Sequence, residues 1–179
     1  MPTPTIAPDL LRAAVQGDAF WERQLQRVFA SHGDAVALHL AILVNPYLQL
    51  LLDGQKTIES RFSTQRRAPD YQVQHGDVVL LKRSGGPIAG IGLVEDAKFY
   101  QVTPDVLQHI RDEYADELGI SDPSFWSDRE RASFATLIRL AHVRALDPIP
   151  YLKRDQRAWI ILKPRAAQTT FWPPTNAPA

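Results

Sequence analysis

The sequence predicts an α+β fold, with a strand-rich middle flanked by helices. Three observations carry that expectation. Six stretches read as strands, at residues 37–44, 56–62, 78–83, 88–98, 134–146 and 158–163. Two longer stretches, 19–31 and 103–118, carry apolar residues at helical spacing. Glycine- and proline-containing turns such as Asn45-Pro46, His75-Gly76-Asp77 and Ser84-Gly85-Gly86-Pro87 separate these runs.

The elements follow in order. Residues 1–8 are rich in Pro and Thr and are expected to be disordered. Asp9 to Val15 reads as a short helix with Leu10, Leu11, Ala14 and Val15 on one side. Gly17-Asp18 breaks it, and Asp18 is suited to cap a second helix, Ala19 to Ser31. Phe20, Trp21, Gln24, Leu25, Val28 and Phe29 form an aromatic stripe on that helix. The stripe reads as packing against the strands; the other reading is a surface for a protein partner. Gly33-Asp34 ends the N-terminal element. Strand 37–44 closes on Asn45-Pro46, and a helical turn follows, Tyr47 to Asp53, with Leu48, Leu51 and Leu52 as its apolar side.

After strand 56–62 comes a polar connection, 62–75, that contains Arg66-Arg67. A connection this long is uncommon unless functional, and it reads as a flap near a cleft. His75-Gly76-Asp77 turns into strand 78–83, and Ser84-Gly85-Gly86-Pro87 turns into strand 88–98. Thr103 can cap a helix with Pro104 at its first position, running to about Leu118 and stopping at Gly119. Its buried face is Val106, Leu107, Ile110, Tyr114 and Leu118. Residues 122–126 read as a turn, with Ser127 capping a short helix from Asp128. Pro148-Ile149-Pro150-Tyr151 separates the last two strands. Ala158-Trp159-Ile160-Ile161-Leu162 is apolar throughout and is expected to be a central strand. The organisation is then a helical extension at 1–33, a main domain at 34–165 and a Pro-rich tail at 166–179.

Composition bounds the function. A chain of 179 residues suits one domain with an appended element. It has no cysteine, which excludes disulfides, thiolate catalysis and Cys-ligated metal centres. No stretch approaches 18 apolar residues, and the N-terminus lacks the basic start and apolar core of a secretory signal. A soluble, cytoplasmic protein with no membrane contact is expected. The five histidines show no metal-ligand spacing, and there is no P-loop or G-x-S-x-G elbow. Neither a metal nor a cofactor is expected. The net charge is zero, but it is unevenly spread: +3 over residues 54–83, +5 over 139–165 and −5 over 103–131. Local positive potential is what a phosphate ligand needs.

The chemistry concentrates in Gly54-Gln55-Lys56-Thr57-Ile58-Glu59-Ser60-Arg61. Strand alternation puts Glu59 and Arg61 on one face, with Ile58 opposite and Lys56 entering from the turn. Such a strand lines a polar cleft fit for a charged ligand. Lys56 can bind a phosphate or, if desolvated beside another cation, act as a base. Glu59 can orient Lys56 and Arg61, and Arg61 offers a planar donor fork for phosphate or for stacking on a base. Lys82 can add a phosphate contact, and Ser84-Gly85-Gly86 can present backbone N–H groups. Tyr47 can stack on a base or donate its hydroxyl. Trp126 and Trp159 read as core. The alternative is a solvated strand face with ion pairs worth roughly 0–1 kcal/mol each.

With Pro46, Gly76-Asp77, the Lys82–Pro87 segment, Gly90 and the strand at Trp159–Leu162, this motif resembles the ASCH domain family, named for activating signal cointegrator homology and part of the PUA-like superfamily. The resemblance covers roughly residues 37–165. It implies a PUA-like small mixed or antiparallel β-barrel with the helices outside it. It also implies RNA, DNA or a modified nucleoside as ligand. Family members include proposed RNA or DNA binders, a ribonuclease type and an amidohydrolase acting on acylated cytidine. The expected nucleic-acid site is Tyr47, Lys56, Glu59, Arg61, Arg66, Arg67, Lys82, Ser84, Gly85 and Gly86. If the protein is an enzyme, Lys56, Glu59 and Tyr47 are its expected catalytic residues. Glu59 departs from the amidohydrolase branch, which resembles this chain but places a threonine nucleophile there. That branch also uses a helical glutamate, for which Glu113 and Glu117 are the candidates. The leading expectation is an RNA-binding domain. A metal-independent ribonuclease or nucleoside hydrolase of the same fold is the rival, and a protein-interaction module the third reading.

Overall fold

A computed structural model of the chain describes residues 6–30, 36–152 and 156–165. The turn at Gly33-Asp34, the N-terminal five residues and the Pro-rich tail lie outside the described residues. Two helices come first, α1 (Pro8–Ala14) and α2 (Ala19–Val28). The Asp18 carboxylate caps α2 by accepting the backbone N–H groups of Phe20 and Trp21, both at 3.1 Å. Its other oxygen meets Arg144 at 2.9 Å, so the cap also ties the helix to the sheet.

The sheet has six strands: β1 (Leu38–Leu43), β2 (Ile58–Ser63), β3 (Val78–Arg83), β4 (Ile88–Gln101), β5 (Phe134–Ile149) and β6 (Trp159–Lys163). Their spatial order is β2-β5-β4-β3-β1-β6. Among the described residues only β1 and β3 run parallel, and the other pairings are antiparallel. Between them lie α3 (Tyr47–Leu52), α4 (Pro104–Tyr114) and α5 (Ser124–Ser127).

Both faces of the inner strands are covered. Leu38, Leu40, Val78 and Leu80 pack with Leu11, Val15, Trp21, Leu25 and Val28 of the N-terminal helices. The alternate residues Ala41, Leu43, Val79 and Leu81 pack with Leu48 and Leu51 of α3. Double coverage is why these strands read as unbroken apolar runs. The aromatic stripe of α2 is therefore spent on the core: Trp21 is 2% exposed and Leu25 and Val28 are fully buried. A third cluster seats α4 and α5 on β2 and β5 through Leu107, Ile110, Phe125, Trp126, Ile58 and Leu137.

The sheet curls into a half-barrel with the helices around it. Most of the sheet's register shifts fall in the β4–β5 ribbon, between Ile88 and Gly90, between Ile91 and Leu93, and between Val94 and Asp96, with one more each in β3–β4 and β1–β6. Each irregularity bends the ribbon and adds twist. His142 sits opposite this stretch in the left-handed region at φ 51°, its ring stacked on Phe20 at 4.0 Å. At Gly90 a Cβ would stand 2.6 Å from Leu52 Cδ2 and 3.2 Å from the Arg144 carbonyl oxygen, so α3 closes on bare backbone there.

Four expectations are corrected. The apolar strand β6 is not central but ends the sheet; it is apolar because Trp159 faces one core cluster and Ile160 the other. The fourth helix stops at Tyr114, and Leu118 and Gly119 belong to the turn that follows. The short helix starts at Ser124 rather than Asp128, because the Asp122 carboxylate accepts the Ser124 N–H at 2.9 Å. Strand β5 runs on to Ile149, which pairs with Ile88. No helix among the described residues is long and apolar enough to cross a membrane.

Trp21→Ala is expected to lower the unfolding free energy by about 3–5 kcal/mol, the usual cost of emptying a buried aromatic site. Chemical denaturation measures it. A loss within 0.5 kcal/mol, roughly that of a surface change, would mean that the stripe does not hold the helix to the sheet.

Candidate functional site

The start of β2 is pinned before its functional side chains begin. The backbone N–H of Lys56 donates to the Leu50 carbonyl at 2.9 Å, and those of Thr57 and Ile58 both donate to the Glu117 carbonyl. Gly119, at φ 66°, lies against this entry: a Cβ there would stand 3.1 Å from Leu50 and 3.4 Å from the Lys56 Cβ. The turn after α4 thus closes over the stem of Lys56. The Lys56 ammonium donates to the Leu118 carbonyl at 2.7 Å. The residue is 2% exposed.

A cation buried this far needs an anion. Glu59 Oε2 stands 3.5 Å from Lys56 Nζ, and its Oε1 stands 3.0 Å from Arg61 NH2. Strand alternation produces the second contact, since Glu59 and Arg61 project from the same face of β2. Arg61 also donates to the Ile42 carbonyl at 3.1 Å. Its guanidinium lies 5.4 Å from the Trp159 ring, and the Lys56 ammonium 5.3 Å from the Tyr47 ring. The result is a buried row, Lys56–Glu59–Arg61, with one negative charge between two positive ones.

This row lines a cleft of about 910 Å³. Tyr47, Lys82 and the Ser84-Gly85-Gly86 turn line it as well. The Lys82 ammonium donates to the carbonyls of Arg83 at 3.0 Å and Gly86 at 2.5 Å, so it braces that turn from beneath. The cleft's lining also includes Phe125, Arg129, Pro148, Pro150, Tyr151 and Arg157. Arg129 donates to the Phe125 carbonyl at 2.7 Å and lies over the Phe125 and Phe62 rings.

Of the residues singled out in the sequence, Tyr47, Lys56, Glu59, Arg61, Lys82, Ser84, Gly85 and Gly86 line one cleft. Arg66 and Arg67 do not. Arg66 pairs with Asp70 at 3.2 Å and lies over the Phe134 ring, while Arg67 donates to the Gln65 side chain. Glu113 does not line the cleft either, and the Glu117 carboxylate is taken by Arg139 at 2.5 Å. Sequence reasoning missed Arg129, Phe125 and Arg157. The available signal was the Phe125/Arg129 spacing of four, which puts the pair side by side on one turn.

Behind Trp159 the chain of contacts continues inward. Its indole N–H donates to His39 Nδ1 at 3.1 Å. An indole only donates, so the His39 proton is on Nε2, which donates to Asp77 Oδ2 at 3.1 Å. Asp77 also accepts the backbone N–H groups of Ala37 and Gln74 and the Arg165 guanidinium. Burial pushes the Asp77 carboxyl up, but these hydrogen bonds outweigh it and hold it below the usual range.

Burial also sets the Lys56 ammonium. Desolvation pushes its pKa below the ordinary lysine value of 10.5, the Arg61 and Arg129 charges push the same way, and Glu59 opposes them. A positioned lysine with a depressed pKa can hold an anionic ligand or take a proton. No group of His, Asp or Glu among the described residues has the arrangement of a metal site.

Neither a protein-family model nor a curated protein sequence matches the chain. Solved structures do. The ASCH protein of Zymomonas mobilis superposes with a TM-score of 0.51 at 17% identity, over 63% of this chain and 73% of that one. The fold is ASCH-like. A tyrosine-to-phenylalanine variant of the same Zymomonas protein gives 0.52 at 17% identity, over 63% and 75%. Identities this low speak for the ASCH-like fold alone, which the motif at Gly54–Arg61 had implied.

The depressed Lys56 pKa makes a stability prediction. In the interval between its folded pKa and 10.5, the unfolded chain binds more protons at this position than the folded chain does. Stability from this group therefore rises with pH there. Relative to Lys56→Met, wild type should gain stability as pH climbs from neutral toward 10.5, read from urea midpoints. A flat difference would place the lysine in a solvated setting, and one that moves against wild type would mean that Glu59 outweighs desolvation and raises the pKa.

Proposed function

We propose that the cleft binds RNA, single-stranded or carrying a modified base. The observation that carries this reading is the buried row Lys56–Glu59–Arg61 on the wall of a cleft that also holds aromatic rings. Single-stranded RNA is recognised by stacking splayed bases on aromatic or guanidinium planes while cations take the phosphates. Tyr47 and Phe125 supply rings, Arg61 and Arg129 supply planes and charge, and the Ser84-Gly85-Gly86 turn supplies backbone donors. Glu59 holds the two cations in place and can accept from a base edge. The ASCH-like fold supports the reading, as does the cleft volume of about 910 Å³, roomy enough for a nucleotide.

A second reading has one observation in its favour. Lys56 is depressed in pKa and stands 3.5 Å from Glu59, a pairing that suits general acid–base work. A metal-independent ribonuclease or nucleoside hydrolase would use Lys56 for the proton transfer, with Tyr47 beside it. Deacylation of a cytidine by the family's threonine route is disfavoured, since Glu59 stands at that position and a carboxylate cannot replace the hydroxyl nucleophile.

The test follows a fluorescent single-stranded RNA by anisotropy over time, in low salt with EDTA. Wild type should give a rapid rise that holds steady and weakens as salt is added. Lys56→Ala and Arg61→Ala, checked for folding by circular dichroism, should each weaken binding about tenfold or more. If both folded variants bind as wild type does, the cleft is not the site. A rise followed by decay below the starting value, absent in Lys56→Ala, would establish the ribonuclease instead.

A further inference from the structure

The cleft does not end at Arg61. Strands β2 and β6 are the two ends of the sheet, and the curl brings them to face each other across a seam. A second compartment of about 610 Å³ lies in that seam. Phe62 and Ser63 of β2 line it on one side and Ile160 and Ile161 of β6 on the other, with Arg67 and Gln72 of the 64–77 connection beside them. The two compartments share Arg61, Gln156, Arg157 and Ala158. The two compartments are neighbours, and the guanidinium groups of Arg61 and Arg157 belong to the lining of both.

We propose that a single RNA strand runs through both compartments, with one nucleotide in the cleft, its neighbour in the seam, and the phosphate between them at Arg61 and Arg157. This rests on the RNA reading of the cleft and adds the length and path of the ligand. Each compartment alone has the volume of a site for one small ligand, so the joined pair suits a ligand of two linked units. The junction carries the planar cations that recognise a phosphate. Arg61 spends NH2 on Glu59 and Ile42, and its Nε–H is buried without a hydrogen-bond partner in the structure. The seam adds a further cation, Arg67, bonded to the exposed Gln65 side chain. Among the described lining residues its one carboxylate, Asp70, is answered by Arg66 at 3.2 Å. Phe62 and Phe134 are among the residues that line the seam, as Tyr47 and Phe125 are among those that line the cleft. A base-paired strand cannot splay two neighbouring bases into separate compartments; a single strand can.

The experiment compares nucleoside 5′-monophosphates with a mixed-sequence single-stranded RNA pentamer by calorimetry, with EDTA present, on wild type and Arg67→Ala. Wild type should bind the pentamer at least tenfold tighter than the best monophosphate. Arg67→Ala should shrink that ratio severalfold. It should also reduce the slope of log affinity against log salt for the pentamer by about 0.7, the loss of one phosphate contact on a single strand. Arg67 is an exposed loop residue, and its circular dichroism melt should match wild type. Equal affinity for pentamer and monophosphate overturns the two-compartment path while leaving RNA binding in the cleft intact. So does a pentamer affinity and salt slope unmoved by Arg67→Ala. If neither ligand binds wild type, the RNA reading and the path fail together.

Discussion

The structure depends on the bend of one ribbon. Strands β4 and β5 are 14 and 16 residues long, and a flat ribbon of that length would hold β2 and β6 at opposite ends of an open sheet. Three shifts of register turn the ribbon on itself. Gly90 lets α3 press on the bent backbone, and Phe20 stacks on His142 at its outer side. Remove the bend and the cleft has only one wall. Residues of the first sheet end, Glu59 and Arg61, would then never meet residues of the last, Arg157 and Trp159.

Within that frame the charges are arranged as a line of partnered side chains that ends in the core at Asp77. Lys56 leans on Glu59, Glu59 on Arg61, Arg61 on the face of Trp159, Trp159 on His39, and His39 on Asp77. Each member has a charged, hydrogen-bonding or aromatic partner, although the Arg61 Nε–H is left without one. Buried ionic rows of this sort contribute little net stability, because desolvation offsets their attraction. Their contribution is geometric: a guanidinium that is paired, hydrogen-bonded and stacked has few rotamers left. The lysine is the exception in one respect, since its ammonium pays for burial with a lowered pKa.

Much of this was legible in the chain. Alternation along 56–62 puts Glu59 and Arg61 on one face, and a contact of that kind needs no tertiary knowledge. The strands were legible because they are buried on both faces, and that same property hid the sheet order. A strand buried on both faces reads alike whether it is paired along one edge or two, which is how β6 came to be expected at the centre. Arg129 was hidden by its acidic neighbours, although its ring contacts and its place in the cleft depend on Phe125 and not on local net charge. Arg66 was expected at the cleft from its charge and its place in the 62–75 connection; Asp70, four residues on, draws it away. The link from Trp159 to His39 joins residues 120 positions apart, beyond any local pattern.

The open seam has a further consequence for how the molecule behaves in company. The two ends of a sheet carry unpaired backbone groups and invite other chains to add strands. Here the curl aims both ends at each other across a channel rather than outward. Arg61, Arg67 and Arg157 stand along it, and like charges on an approaching second copy would meet them first. The same cations that make the channel attractive to an anion make it repellent to an identical sheet edge. Any protection of the sheet ends from edge-on pairing would thus rest on the same side chains as the proposed ligand site.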